Sequence, residues 1–273
     1  MARTIDITPP GRLPLPDLRE LWDAREIFWR FGMRDLLLRY KQTALGVIWV
    51  VIQPLLSAGV FSIVFGQIAD IDAGPVPYFI FSFSAMLAWN LFNGVVTRAS
   101  GSLVSNQALI SKVFFPRILV PLSSVLSVMV DFLVAGALLV VLLLIAGIGP
   151  GLAVLTLPVW VLLMILLATG VGLLAAALMV HYRDVQYIVP FAMQTLLYAS
   201  PIAYPLSAAP ENLRWVFEIN PLTWLLEGFR WATLGTDQPP VWQLGAAVGV
   251  CVVVFLGGTL VFSKMERGMA DVI

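Results

Sequence analysis

The chain has 273 residues, 60% of them hydrophobic and 12% charged, and its 16 Lys and Arg balance its 16 Asp and Glu. A soluble protein carries about a quarter charged residues, so this composition excludes a water-soluble domain and describes one membrane domain. The zero net charge says nothing about partners, because the charges are segregated along the chain rather than spread over a surface.

Residues 1–16, with Pro9, Pro10, Pro14 and Pro16, read as an irregular polar tail without the apolar stretch and cleavage site of a signal peptide. From Asp17 the pattern turns helical. Asp17 and Glu20 resemble a capping box, with Leu18, Leu21, Trp22, Phe28 and Trp29 on one face and Arg19, Asp23, Glu26 and Arg30 on the other. Two Trp on the apolar side suit an amphipathic helix at the membrane surface, although Arg25 intrudes on the stripe; the alternative is a cytoplasmic helix packed on the protein itself.

Five runs without a full charge follow: Gln42–Ala69, Ala73–Thr97, Phe132–Tyr182, Val185–Pro210 and Gln238–Ser263. Each holds at least one helix of about 20 residues, the length that crosses a bilayer core. The third run, 51 residues long, must fold back on itself, and the glycine-rich 146–151 is the breaking point. The expected architecture is therefore all-α, with six spans at about 44–69, 78–97, 118–146, 158–180, 187–205 and 241–263. Of the 16 Lys and Arg, 14 fall on one side of these spans: eight before the first, then Arg98, Lys112, Arg117, Arg183, Lys264 and Arg267. The positive-inside rule puts that side, and both termini, in the cytoplasm. The chain divides into a tail and interfacial helix (1–43), the membrane domain (44–263) and a short cytoplasmic end (264–273).

Between spans five and six, 206–240 interleaves Trp215, Phe217, Trp224, Phe229 and Trp231 with Glu211, Arg214, Glu218, Glu227 and Arg230. Pro221 after Asn220 splits it into two short helices, too short to span and too apolar for water, which dip into the outer leaflet or line a cavity there. Pro190, Pro201 and Pro205 make span five irregular, as part of a channel wall or as a kinked packing helix. Gly245 and Gly249 form a G-x-x-x-G in span six, a weak signal for dimerisation.

Chemistry-bearing residues are few. His181 stands without companions for a metal site, Cys251 is the one cysteine and reads as a small packed residue, and no Gly-Lys dipeptide occurs, so a P-loop is absent. Asp131 is the buried acid. It lies 14 residues beyond Arg117, ~21 Å along a helix, where an unpaired charge is costly. As a lone carboxylate it suits a structural pairing, for example with Arg230, better than a proton or ion relay.

The residues also carry a resemblance. Arg34-Asp35-Leu36-Leu37-Leu38-Arg39-Tyr40-Lys41-Gln42-Thr43 with Leu45-Gly46, Trp49 and Gln53-Pro54-Leu55 resembles the start of the membrane subunits of type-2 ABC exporters for polysaccharides, the family of O-antigen, capsule and teichoic-acid exporters. The likeness continues through Asn106, 110–117, Pro121, 183–185, 200–202, Tyr204-Pro205, Asn220-Pro221, 227–231 and the closing 270–273. It implies a homodimer joined to two nucleotide-binding subunits, with ATP and magnesium held by those partners and no cofactor on this chain. It also implies a bacterial cytoplasmic (inner) membrane location and a cargo of glycan linked to undecaprenyl diphosphate. On this resemblance Asn106, Lys112, Phe114, Phe115, Pro116, Arg117, Arg183 and Asp184 meet the ATPase, with a coupling helix over 105–115 ending at Pro116. The two short outer helices form a gate with Trp215, Trp224, Glu227, Arg230 and Trp231, in which Asp131 is a further polar partner.

Arg34, Arg39 and Lys41 are candidates to receive an anionic headgroup, or are ordinary positive-inside anchors; Trp49, Trp89, Phe92 and Tyr198 line the path, or simply pack. The competing functions are a membrane enzyme acting on lipid-linked sugars, disfavoured by the shortage of acid–base groups, and an ABC exporter of another substrate. A proton- or sodium-coupled transporter lacks the several intramembrane ionisable groups it would need. The bilayer is the expected environment, and no nucleic acid is expected as a partner.

Overall fold

The computed structural model describes residues 18–41, 48–113, 115–149, 151–266 and 268. The expected features at 1–17, 42–47, Phe114, Pro150, Arg267 and 269–273 lie outside these residues. Among the described residues all regular structure is helical: α1 (Leu18–Asp23), α2 (Arg25–Lys41), α3 (Ile48–Phe61), α4 (Tyr78–Ser105), α5 (Gln107–Ile110), α6 (Leu119–Ile145), α7 (Leu157–His181), α8 (Val185–Tyr198), α9 (Glu211–Ile219), α10 (Pro221–Leu234) and α11 (Val241–Glu266). A π-helical run, Ser62–Ile68, prolongs α3, and a 3-10 turn, Leu152–Thr156, leads into α7.

Five of these helices, with their extensions, are long and apolar enough to cross a membrane: Ile48–Ile68, Tyr78–Ser105, Leu119–Ile145, Leu152–His181 and Val241–Glu266. They answer to expected spans one to four and six. The fifth expected span, 187–205, is not such a helix: α8 has 14 residues, ~21 Å, and ends at Tyr198. Pro201 and Pro205 lie just beyond that end, where each ring removes an amide donor from a continuing helix.

The centre of the molecule is α4 against α7, with α6, α10 and α11 around them. These helices approach closely because small residues line the contacts, as membrane packing requires. A Cβ on Gly258 of α11 would fall 2.1 Å from the Gly170 carbonyl oxygen of α7, and one on Gly172 would fall 2.7 Å from the Ala99 Cβ of α4. By contrast Gly245 and Gly249 face open space, so the G-x-x-x-G motif makes no close contact within the subunit.

Two contacts order the helix ends. The Arg117 amide, just before α6, donates to Glu266 Oε1 at 3.0 Å, and a Cβ on Gly268 would lie 3.9 Å from His181 Nε2. The start of α6 and the ends of α7 and α11 therefore share one end, here the basic end. At the opposite end Tyr78, opening α4, donates its hydroxyl to the Ala203 carbonyl, and Trp224 of α10 meets Trp242 of α11 edge-on at 5.9 Å. Residues 199–205 after α8 are not helical before a 3-10 turn, Leu206–Ala208, yet several of their carbonyls accept from side chains. Asn220 Nδ2 donates to Ala199 O at 3.3 Å and Arg230 donates to Ile202 O at 2.7 Å. In an apolar medium each such carbonyl needs a donor.

The close α7–α11 contact predicts that Gly258→Ala lowers stability by about 1–3 kcal/mol, the usual range for overpacking. Gly249→Ala, which meets open space, serves as the control. Thermal unfolding of the two purified variants in detergent checks this, and equal midpoints would show that the contact is not tight.

Candidate functional site

α2 packs along α6, and its Arg34 reaches across to the end of α4. Its Gly32 admits Leu126 of α6, since a Cβ there would stand 2.5 Å from Leu126 Cδ1. Its Phe31 is buried and meets the Phe115 ring at 5.6 Å. Along α2, Arg34 donates to Asn106 Oδ1 beyond the end of α4, whereas Arg39 reaches Asp131 beside Arg98, two turns further into α4. The helix therefore slopes from the basic end toward the middle of the bundle. Trp22 of α1 and Trp29 of α2 are exposed, while Leu21 of α1 and Ile27 of α2 pack against buried residues.

The slope delivers Arg39 and Tyr40 to Asp131. Arg98 completes the cluster, donating to Asp131 Oδ2 at 2.8 Å and to Ser127 Oγ at 2.7 Å. Both arginines and the Tyr40 hydroxyl converge on the one carboxylate. Burial, reinforced by the bond to Asp131, pushes the Tyr40 hydroxyl up to about 12, so it remains a neutral donor. This corrects the expected Asp131–Arg230 pairing. One position round the helix from Asp131, Phe132 is the residue that reaches α10, edge-on to Phe229 at 6.1 Å.

The ion cluster is the wall between two cavities. An outer one of about 720 Å³ at the basic end is lined by Arg34, Asp35, Arg39, Arg98, Asn106 and Ser127, among others. An inner one of about 140 Å³ is lined by Gln53, Asn90, Asn93, Phe132, Asp131 and the same Arg39 and Arg98. Two expected headgroup residues, Arg34 and Arg39, thus meet in one cavity, while Lys41 is exposed and lines neither. Arg98 was read only as a flank of span two. The helix runs on to Ser105, which places Arg98 well inside it; its separation from Asp131 by 33 residues gave no periodic signal.

The aromatic candidates separate. Trp89 and Phe92 are buried in the core, their rings 5.9 Å apart, so they pack rather than line a path within the subunit. Trp49 and Tyr198 are exposed.

At the basic end the expected coupling helix over 105–115 is a single turn, α5, followed by turns. Phe115 is buried under α2 rather than presented outward, because the loop folds its ring against Phe31. Lys112, Arg183 and Asp184 are exposed; Pro116 and Arg117 border a cavity of about 540 Å³ with Glu20, Lys112 and Glu266.

At the opposite end Arg230 is fully buried. It donates to Glu227 Oε1 at 3.0 Å and to Ile202 O, and its guanidinium carbon stands 3.9 Å from the Phe81 ring centroid. Burial pulls its pKa below the ordinary arginine value, and Glu227 opposes that. Trp224 is buried and donates to Glu218 O at 2.7 Å, Trp231 is half-buried on the core, and Trp215 is exposed.

Residues 26–234 match the family described as ABC-2 type transporter. The match covers most of the chain, which belongs to that family of membrane-spanning transport subunits. Among its relatives, the O-antigen export system permease protein RfbA of Klebsiella pneumoniae is 27% identical over 243 residues, 88% of this chain and 92% of the relative. The permease of the same name from Myxococcus xanthus is 27% identical over 256 residues, 93% and 98% of the two chains. The polysialic acid transport protein KpsM of Escherichia coli is 23% identical over 242 residues, 86% and 92% of the two chains.

Asp131→Asn should destabilise the protein by about 1–3 kcal/mol, because it leaves two partly buried guanidinium groups facing each other. Adding Arg98→Gln should recover part of the loss. A double-mutant cycle on thermal unfolding reads the coupling; additive losses would mean that the two groups act independently.

Proposed function

We propose that this chain is the membrane subunit of an ATP-driven exporter that moves a lipid-linked polysaccharide across the bacterial cytoplasmic membrane. It works as a homodimer with two ATPase subunits, which hold the ATP and magnesium. Support comes from relatives named for O-antigen export and polysialic acid transport. The observation that carries the reading is the outer cavity, whose described lining gathers Arg34, Arg39 and Arg98 with Asp35, and with Asp131 adjoining. That gathering of positive charge in an apolar setting suits a diphosphate, which guanidinium groups bind in paired geometry.

On this reading the chain crosses the membrane six times. α7 and α11 end together at the basic end, so the stretch between them must return to the opposite end. α8 and the unwound 199–204 make that return, since Ala203 already meets Tyr78 there. The basic end is cytoplasmic, as the concentration of Lys and Arg requires. The exposed Lys112, Arg183 and Asp184 are the surface offered to the ATPase, and α9 and α10 close the outer side.

The test is to co-purify the chain with an ATPase subunit encoded beside it and to measure stimulation of ATP hydrolysis by polyprenyl-diphosphate-linked glycan. Arg34→Gln combined with Arg98→Gln should raise the half-saturating concentration at least ~10-fold, the loss expected for charge-assisted contacts, while the complex still assembles. Undiminished stimulation would leave these arginines a topological role alone. ATP-independent cleavage of the glycan would favour a membrane enzyme instead.

A further inference from the structure

The inner cavity has a lining that the headgroup reading does not use. It lies between α3, α4 and α6, and Asn90 stands 12 residues into the 28-residue α4, ~18 Å from its start and thus near mid-span. Gln53, Asn90 and Asn93 turn three carboxamides toward one small space. Among the described residues the side chains of Gln53 and Asn90 have no hydrogen-bond partner, and Asn93 only accepts from Thr97 Oγ1 at 3.1 Å. Gln53 is exposed and Asn90 and Asn93 are half-buried, so the three carboxamides are open to an occupant of the cavity, and one that both donates and accepts hydrogen bonds suits them best.

We propose that this cavity is a hydroxyl-recognising subsite in which Gln53, Asn90 and Asn93 bind the sugar next to the phosphate held by Arg39 and Arg98. The inference rests on the headgroup reading above and names the ligand chemistry adjoining it. Three features select a sugar. A carboxamide offers a donor and an acceptor side by side, which matches neighbouring hydroxyls and favours neither cation nor anion. The volume of about 140 Å³ is small and suits a group of the size of one ring edge. Phe132 supplies an apolar wall for the ring's C–H face, and Arg39 and Arg98 belong to both cavities, so phosphate and hydroxyls are within reach of one set of groups. The subsite reads the first sugar after the diphosphate and leaves the rest of the glycan unread.

The experiment uses the full chain in lipid nanodiscs and equilibrium binding of two radiolabelled probes, polyprenyl diphosphate and polyprenyl diphosphate bearing one hexose. The wild type should bind the sugar-bearing lipid about tenfold more tightly, the gain expected from two or three hydrogen bonds to hydroxyls. In Gln53→Ala combined with Asn90→Ala the ratio of the two affinities should fall toward one. Asn90→Leu, which fills the cavity instead of emptying it, should do the same, and Gln53→Ala alone, at the exposed edge, should lower the ratio in part. Because the readout is a ratio on folded protein, a general loss of binding does not imitate the effect. Equal wild-type affinity for the two lipids, or a preference that survives all three variants, overturns the subsite and leaves the cavity to water, with the headgroup reading intact. Binding of neither lipid overturns both.

Discussion

A carboxylate within a membrane helix has to be neutralised from nearby, and in this chain that demand falls on Asp131. Two guanidinium groups and a phenol answer it, one arginine and the phenol from α2 and the other arginine from α4. Three helices far apart in sequence are thereby tied at one point. The cluster also stands where two cavities meet, so its two guanidinium groups border both.

The opposite end solves a related problem with neutral acceptors. Where α8 stops, backbone carbonyls lose their ladder, and Asn220, Arg230 and Tyr78 provide donors in its place. Arg230 is fully buried for this purpose, held between Glu227, the Ile202 carbonyl and the Phe81 ring. Both polar clusters are attached to the same frame of small-residue contacts at α4, α7 and α11. The frame supplies rigidity, and the charged groups are placed at its edges.

Much of this was legible from the chain. Because a bilayer imposes a length and composition that few other settings impose, the apolar runs located five of the six expected spans, though the second runs eight residues further, to Ser105. The Asn220-Pro221 break and the placement of Asp131 inside a long apolar helix were also readable. Failures came where tertiary contact overrode local pattern. Arg98 looked like the end of a span because charge was taken as the boundary, yet Asp131 lets the helix carry it inside. Trp89 and Phe92 looked like path-lining residues, and nothing local distinguishes an aromatic that packs from one that faces a cavity. Asp131 was assigned the wrong cation because its neighbour Phe132, about 100° round the helix, is the side chain that faces α10.

The contact of Phe31 with Phe115 acquires significance from the slope of α2. This helix has 17 residues, ~25 Å of stiff rod. Near its middle Phe31 is gripped by the loop that leads into α6, and its last turn grips Asp131. The loop at the basic end and the buried carboxylate are therefore fastened to one stiff element that is not among the five membrane-length helices.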